Sequence, residues 1–369
     1  MSDLSTVISI VTRLPPAIDG VGDYALNLAR QLRKDYNIQT QFIVGNPDWK
    51  GEAEIAGFSV NQVTDSNSDQ LTTLFEGDRT SPVLLHYVGY GYAKRGCPIW
   101  LVDGMQRWKN LYPDRLLVTM FHELCASSYL PWQSSFWLSP LQKSLVTRLA
   151  KLSDRCITSK QSYSDILVKL SNGKHKQIQA LPVFSNVGEP KQNRPLSDRQ
   201  KQLVIFGSVA NRIRVYRESQ EALNSACQSL DIQSILDLGT PTGIEPQTIG
   251  NVPILELGMQ PAEKISEIMA DAIAGFLNYN PNFLSKSGIF AAYCAHGLLP
   301  INVRGSDIPI DKIKLGEHYW ISSKVELKDI ERMQAISNNA HAWYSSHNLS
   351  SQSKIFFHIL NTEIQLESQ

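Results

Sequence analysis

Short apolar runs alternate with longer amphipathic stretches along nearly the whole chain. Short continuous apolar runs are typical of buried strands, whereas apolar residues spaced three and four positions apart are typical of helices. The predicted strands of the first half are Val7–Val11, Gln41–Val44, Val83–Val88, Leu116–Phe121 and Arg155–Thr158. Those of the second half are Leu203–Phe206, Ser234–Leu238, Ile254–Leu257, Ala274–Asn278 and Leu299–Val303. The alternation predicts an α/β protein with parallel sheets and crossover helices.

Helix patterns fill the gaps between these strands. One apolar helix face follows the first strand and consists of Ala25, Leu28, Ala29 and Leu32. Another helix is predicted to begin at Ser139, because serine is a favoured N-cap and Pro140 suits the first helical position.

The length of 369 residues predicts two domains rather than one. A polar stretch with glycine and proline interrupts the pattern near the middle of the chain. We therefore expect doubly wound domains over residues 1–187 and 201–345, joined by a linker over 188–200. Residues 346–369 are predicted to be a C-terminal helix that crosses back to the first domain.

The formal net charge is zero, with 35 basic and 35 acidic residues. The chain therefore has no global field that would attract nucleic acid or an anionic membrane. Its five cysteines are scattered, which argues against a zinc site or a disulfide framework and favours reduced thiols in the cytoplasm. The N-terminus lacks the basic start of a signal peptide. No apolar run approaches the ~18 residues that a membrane span needs.

Open α/β sheets bind ligands beyond the carboxyl ends of their strands, so polar and glycine residues there are candidate binding residues. In the first half these are Gly20, Val21, Gly22 and Asp23, then His86 and Tyr90, then His122 and Glu123. Glycines before a helix let backbone N–H groups approach an anionic or polyhydroxylated ligand. The ring of Tyr90 suits a sugar or is structural. The His–Glu pair orients a hydroxyl, moves a proton, or is structural.

The second half offers two candidate sites for phosphate. The first contains Gly207, Ser208, Arg212 and Arg214, and the second contains Ser285, Lys286, Ser287, Gly288 and Ile289. Arginines past a strand end match phosphate oxygens, the alternative being a solvated helix face. Hydroxyls, a lysine and free N–H groups at a helix N-terminus form an anion site. Ser-Lys-Ser-Gly is not a Walker A motif, because the upstream glycine is missing.

Together these motifs resemble the GT-B glycosyltransferases, and most closely their large group 1 family of retaining sugar transferases. Residues 19–29 resemble the family's N-terminal glycine loop and helix, and residues 121–123 resemble its His-Asp/Glu pair. Residues 153–159 resemble the strand that closes the first domain, and residues 292–301 resemble its E-A-M-A-x-G-x-P-V segment. The resemblance implies two doubly wound, Rossmann-like domains that face a cleft, with C-terminal helices. It also implies an acceptor-side first domain, a second domain for the nucleotide sugar, and a contact between His122 and the donor sugar.

The chain departs from the family pattern at the donor site. Gly207 begins the loop that in the family carries an Arg/Lys pair for the donor diphosphate. Ser208 stands where the arginine is usual, which leaves Arg212 or Arg214 to replace the lysine. The two glutamates of the family's E-x7-E signature fall on Leu284 and Ala292. In the family, one of these glutamates holds the nucleotide ribose and the other lies near the donor sugar.

The expected function is transfer of a sugar from a nucleotide-diphosphate sugar to a saccharide or lipid-linked acceptor in polysaccharide or glycoconjugate biosynthesis. The predicted catalytic residues are His122, Glu123, Lys286 and Arg212. Positive charge and backbone N–H groups would stabilise the leaving diphosphate, so we expect no metal and no cofactor. We expect a cytoplasmic protein, and a lipid-linked acceptor would add peripheral contact with the inner face of the membrane.

Two alternative functions stay open. The missing glutamates favour a non-catalytic, glycosyltransferase-like subunit that binds a nucleotide sugar or a partner enzyme. A nucleotide-sugar epimerase on the same architecture would need several acid/base side chains, and few histidines and carboxylates follow the predicted strands. A nicotinamide enzyme is disfavoured because the chain lacks the G-x-G-x-x-G fingerprint after its first strand.

Overall fold

The computed structural model describes residues 4–78, 80–125, 134–243, 247–322, 327 and 329–361. The chain divides into two compact units. The first consists of Met1–Pro182 with Leu349–Gln369, and the second of Val183–Asn348. Of the predicted C-terminal helix over 346–369, residues 362–369 lie outside the described residues.

The first unit is built on an eight-stranded sheet. Its strands are β1 Thr6–Val11, β2 Gln39–Val44, β3 Glu54–Ile55, β4 Phe58–Gln62, β5 Val83–Tyr87, β6 Leu117–Phe121, β7 Arg155–Thr158 and β8 Gln179–Ala180. Its first six helices are α1 Gly20–Tyr36, α2 Ser68–Thr73, α3 Gly89–Tyr92, α4 Ile99–Leu111, α5 Ser134–Leu152 and α6 Gln161–Leu170. Strands β1, β5 and β6 are buried along nearly their whole length, as expected for strands covered on both faces.

The strand order of this sheet is β3-β4-β2-β1-β5-β6-β7-β8. All neighbouring pairs are parallel except β3 with β4. In register, Ile8 of β1 lies opposite Gln41 of β2 on one side and Val83 of β5 on the other. The chain extends the sheet one way through β4 and the other way from β5, so the strand order reverses between β1 and β5. Ligands of open α/β sheets bind beyond the carboxyl ends of the strands at such a reversal.

The second unit repeats this arrangement with six strands. Its strands are β9 Gln200–Phe206, β10 Ser234–Leu238, β11 Thr248–Ile249, β12 Val252–Gly258, β13 Ala272–Leu277 and β14 Leu299–Asn302. Its helices are α7 Val209–Glu218, α8 Gln220–Ser229, α9 Ala262–Asp271, α10 Gly288–Ala295 and α11 Ile330–Ser345. The order is β11-β12-β10-β9-β13-β14, and only β11 with β12 is antiparallel. The strand order of this sheet therefore reverses between β9 and β13.

The chain returns to the first unit as a final helix, α12 Leu349–Leu360. Phe357 of α12 stacks on Tyr36 of α1, with ring centroids 4.1 Å apart. The hydroxyl of Tyr24 donates to Gln352 Oε1 at 2.5 Å, and Gln352 Nε2 donates to the carbonyl of Pro182 at 2.6 Å. These contacts attach α12 to α1 and to the last residue before the second unit.

The predicted α/β class with parallel sheets is confirmed, and every predicted strand overlaps an observed one. The apolar pattern does not predict β3, β4, β8 or β11. These strands lie at or next to sheet edges and are partly exposed, so they lack a continuous apolar run.

The predicted helix start at Ser139 is wrong, because α5 begins at Ser134 and contains Pro140. Proline removes one backbone donor and is most common at the first helical position. Packing stabilises helices in proteins more than intrinsic propensity does, and α5 buries Leu145 and Leu149 in the core of the first unit.

Residues 188–200, predicted to link the domains, lie inside the second unit rather than between the two units. Leu196 is buried in the core of this unit. The buried guanidinium of Arg199 donates to the carbonyls of Ala272 and His296, at 3.3 and 2.9 Å. This polar segment is therefore not a linker between the units. It packs within the second unit, in part through hydrogen bonds to backbone carbonyls.

A methyl group at Gly22 would lie 2.0 Å from the carbonyl oxygen of Arg13, whereas one at Gly20 would meet nothing within 4 Å. We expect Gly22→Ala to lower the free energy of unfolding by about 1–3 kcal/mol, because the backbone must move to relieve the clash. Gly20→Ala, in the same turn of α1, is the matched control and should change it by less than about 0.5 kcal/mol. Urea unfolding of both variants measures this difference. Equal stability of the two variants would contradict the close approach of Arg13.

Candidate functional site

Two histidines from neighbouring strands of the first unit form a hydrogen-bonded pair. His86 lies in β5 and is fully buried, and His122 directly follows β6 and is 7% exposed. His86 Nδ1 and His122 Nε2 are 3.1 Å apart. Burial lowers the pKa of His86 to about 3, so its ring is neutral at physiological pH. The structure therefore brings together two predicted site residues that are far apart in sequence.

The ring of Tyr24 in α1 packs against both histidines. Its centroid lies 5.9 Å from that of His86 and 5.1 Å from that of His122, with the ring planes nearly perpendicular to each other. The hydroxyl of Tyr24 is held by Gln352 of α12. Helix α12 therefore supports the histidine pair through Tyr24, which is not among the predicted site residues.

Glu123 and Tyr90 lie next to this pair in sequence but have different surroundings. Glu123 follows His122 and is partly exposed. Tyr90, in α3, is 47% exposed, and its hydroxyl accepts a hydrogen bond from Gln142 Nε2 at 3.2 Å. Tyr90 therefore offers an accessible aromatic surface, and its role in binding stays a prediction.

The glycine loop at the start of α1 is occupied by its own carboxylate. Asp19 is the N-cap of α1, and its Oδ1 accepts from the N–H groups of Val21 and Gly22 at 2.9 and 3.0 Å. Its Oδ2 accepts from the hydroxyl of Thr12 at 2.8 Å. A negative charge already lies where a ligand anion would bind, so these two N–H groups are not offered to a phosphate.

Asp23 lies in the first turn of α1, close to Asp19. Burial, with repulsion from Asp19 as a second cause, raises the pKa of its carboxyl from 3.8 to about 6. No hydrogen bond to this carboxyl is found among the described residues. Asp23 is therefore a carboxyl group that can gain or lose a proton near neutral pH.

In the second unit, the ends of β9 and β13 and the start of α10 surround a shallow depression at the strand-order reversal. Its lining includes Phe206, Asn211, Asn278, Tyr279 and Ile289. Gly207 follows β9 with φ of 127°, and a Cβ at that position would lie 2.5 Å from Ile289 Cδ1. Glycine is therefore required where this loop passes α10. Ser208 caps α7 by accepting from the N–H of Asn211.

The two predicted arginines have different environments. Arg212 is fully buried, and its guanidinium donates to the Asp237 carboxylate and to the carbonyls of Thr240 and Gly207. Arg212 thereby links the loop after β9 to strand β10 and to the loop that follows β10, and it also lines the depression. Its role in binding a diphosphate stays a prediction. Arg214, on the same helix, is partly exposed. The role of Arg214 in binding an anionic ligand also stays a prediction.

Helix α10 begins with an N-terminus that can accept an anion. Ser287 is its N-cap and accepts from the N–H of Phe290 at 3.2 Å, which leaves the N–H groups of Gly288 and Ile289 without helical partners. A methyl group at Gly288 would meet nothing within 4 Å, so the backbone there is open. Lys286 is partly exposed immediately before this turn, with Nζ 5.7 Å from the ring centre of Phe283. The cap is neutral and Lys286 precedes it, which favours phosphate, although the carboxylate of Asp311 contacts Ser285 two residues before the cap.

The positions just before Lys286 are buried. Ser285 is buried and its hydroxyl donates to Asp311 at 2.5 Å, which ties the segment to a later loop. Leu284 and Ala292, where the family pattern has glutamates, are buried apolar residues. The structure therefore offers no carboxylate from these two positions.

Asn278 is a polar residue that is not among the predicted site residues. Its side chain is buried at the end of β13, and Nδ2 donates to Ser219 Oγ at 2.8 Å. Its Oδ1 has no partner among the described residues. The sequence feature that could have identified Asn278 is its position as a polar residue directly after a buried strand.

The described residues contain neither a cluster of metal ligands nor a membrane-spanning helix. No group of three or more His, Cys, Asp or Glu side chains within them is arranged to hold a metal ion. None of the helices in the described part of the chain has both the length and the apolar character to cross a membrane. The expected metal independence and cytoplasmic location stay predictions.

Comparison with known proteins gives a clear result for the fold. Neither a family model nor a curated protein matches the sequence. WaaG, a glycosyltransferase involved in lipopolysaccharide biosynthesis, is 14% identical with a TM-score of 0.61, and the match covers 96% of this chain and 99% of WaaG. The pneumococcal O-GlcNAc transferase GtfA, in complex with UDP and GlcNAc, is 12% identical with a TM-score of 0.58, covering 97% and 99% of the two chains.

An α-glucosyltransferase in complex with UDP and a 13-mer DNA containing an HMU base is 9% identical with a TM-score of 0.58, covering 97% of this chain and 99% of that one. Identities at this level establish the fold alone. The chain has the GT-B fold, as the sequence resemblance implied.

The raised pKa of Asp23 predicts a pH-dependent stability. The folded protein binds this proton more tightly than the unfolded chain does, so stability falls as the pH rises from about 4 to about 6 and stays lower above that. We expect Asp23→Asn to stabilise the protein at pH 8 by about 2 kcal/mol, with the gain shrinking below pH 6 and vanishing near pH 4. Thermal unfolding from pH 4 to 8 measures this, with the exposed Asp48→Asn as control. A gain independent of pH would contradict the environment described for Asp23.

Proposed function

We propose that this protein is a glycosyltransferase that uses a nucleotide-diphosphate sugar as donor. The observation that carries the proposal is the start of α10, where a neutral Ser287 cap, the open backbone of Gly288 and the cation of Lys286 occur together. The next residue of α10, Ile289, packs against Gly207 at the strand-order reversal, where open α/β sheets bind their ligands.

The proposed donor is a UDP-sugar in the first instance. UDP is present in the complexes of GtfA and of the α-glucosyltransferase, both of which share the fold. The open N–H groups at the start of α10 would bind a phosphate, and Arg214, which is partly exposed on α7, would add a second positive charge. In the depression, the unpartnered Oδ1 of Asn278 would accept a hydrogen bond from bound donor or water.

The proposed chemistry rests on stabilising the leaving diphosphate. Negative charge grows on the diphosphate as the bond to the sugar breaks, and preorganised N–H groups and a cation lower the energy of that state. Lys286 and the α10 backbone would do this without a metal or cofactor. In the first unit, His122 would contact the donor sugar, and Glu123 and Asp23 are candidate bases, Asp23 because its pKa lies near 6.

The proposed acceptor is a saccharide or a lipid-linked saccharide in polysaccharide or glycoconjugate biosynthesis, at a cytoplasmic location. WaaG acts in lipopolysaccharide biosynthesis and GtfA binds GlcNAc, which supports a carbohydrate acceptor. The formal net charge of zero gives no reason to propose nucleic acid, although one protein of the same fold binds DNA.

A second candidate function is a non-catalytic subunit that binds a nucleotide sugar. The observation that favours it is the burial of apolar Leu284 and Ala292 where the family pattern has glutamates. Such a subunit would bind the nucleotide but would not release it from a nucleotide sugar.

The proposal predicts that one nucleoside diphosphate stabilises the protein against heat. A ligand at ~100 times its dissociation constant should add about 2.7 kcal/mol to the free energy of unfolding. We expect UDP to do so among UDP, GDP, ADP and CMP, and we expect Lys286→Ala and Arg214→Ala to weaken the effect. Lys264→Ala, at an exposed lysine of α9 paired with Glu267, is the matched control.

Release of the diphosphate from its sugar conjugate separates the two functions. If the protein binds a nucleotide sugar and slowly cleaves the nucleotide from the sugar, and if Lys286→Ala abolishes this cleavage, the protein is an enzyme. Binding without release supports the subunit. No stabilisation by any nucleotide would overturn both proposals.

A further inference from the structure

We propose that His86 is a positioning residue that fixes the tautomer of His122, so that His122 carries its proton on Nδ1 and acts as a hydrogen-bond donor there. This inference rests on the proposed function only for the identity of the atom that accepts the hydrogen bond, which is an oxygen of the sugar in the nucleotide sugar. The arrangement of the two rings does not depend on it.

One hydrogen atom lies between the two rings. His86 Nδ1 and His122 Nε2 are 3.1 Å apart, a normal hydrogen-bond distance between nitrogens. His86 is completely buried and its pKa is lowered to about 3, so it does not carry a second proton at neutral pH. Its single proton is therefore on either Nδ1 or Nε2.

The surroundings of His86 Nε2 decide between these two arrangements. This atom is buried and has no hydrogen-bond partner among the described residues. A proton on Nε2 would make a buried N–H donor without an acceptor, which is rare and costly in proteins. A proton on Nδ1 lies in the hydrogen bond to His122 instead. His86 is then the donor, and His122 Nε2 is the acceptor.

Once Nε2 of His122 accepts this bond, a neutral His122 holds its proton on Nδ1. The ring cannot rotate freely, because Tyr24 packs nearly perpendicular to it at 5.1 Å between centroids. Tyr24 is itself fixed by its hydrogen bond to Gln352 of α12. The buried frame thus sets both the proton position and the orientation of His122.

This arrangement assigns a binding task to His122. A ring with Nδ1–H and an occupied Nε2 donates a hydrogen bond and offers no free nitrogen for removing a proton. The structure therefore favours His122 as a donor to a sugar oxygen over His122 as a general base. Proton removal, where the reaction needs it, falls to a carboxylate.

Nitrogen-15 NMR of histidine tautomers tests the proposal directly on the full-length wild-type protein. We expect the His122 signals of a neutral ring with the proton on Nδ1. A spectrum with the proton on Nε2 of His122 would overturn the proposal. This result is independent of nucleotide binding, so it separates failure of this inference from failure of the proposed function.

Two substitutions of His86 add a functional test. His86→Asn keeps an N–H donor near the position of Nδ1, so it should retain the tautomer of His122. The kcat/KM for cleavage of the nucleotide from its sugar should then stay within about threefold of the wild-type value. His86→Asp offers only an acceptor, so it should move the proton of His122 to Nε2 and lower kcat/KM by about tenfold or more. UDP stabilisation should be unchanged in both variants, because the proposed UDP contacts lie in the second unit.

His347→Asn is the control for loss of a buried histidine, because His347 packs against Trp343 and Tyr344 in the second unit. Equal losses of kcat/KM in His86→Asn and His86→Asp, with folding and UDP binding intact, would contradict the donor role of His86.

Discussion

The reversal of strand order in a parallel sheet is the constraint from which the candidate sites follow. The chain starts in the middle of each sheet, builds the sheet outward in one direction, and then returns to the middle to build it in the other, which leaves a crevice beyond the carboxyl ends of two central strands. In the first unit these strands are β1 and β5, and in the second they are β9 and β13. The histidine pair includes His86 of β5, and the depression beside Gly207 lies at the ends of β9 and β13.

A difference in capping separates two helix starts that look alike in sequence. Both α1 and α10 begin with a glycine, and each has an N-cap side chain that accepts from its first turn. Asp19 places a negative charge at the start of α1, whereas Ser287 is neutral and Lys286 adds positive charge before α10. Since an anion is attracted only where the helix end remains positive, this difference supports the proposal that α10 rather than α1 binds phosphate.

The apolar pattern predicts the sheet class and the strands, because buried parallel strands are continuous apolar runs. The pattern also places His86 within such a strand, His122 directly after one, and Lys286 at the start of a helix. It does not predict that Arg212 is buried, because the pairing with Asp237 requires β10 to lie beside β9. Nor does it predict the support that α12 gives to Tyr24, since Gln352 is 328 residues away in sequence.

The central claim is that the start of α10, and not the start of α1, binds the diphosphate. Amide hydrogen exchange with and without saturating UDP tests this directly, because bound N–H groups exchange more slowly. The account predicts slower exchange for the peptide that spans Gly288 and Ile289, with no change at Val21 and Gly22. Slower exchange at Val21 and Gly22, with none at the start of α10, would contradict it.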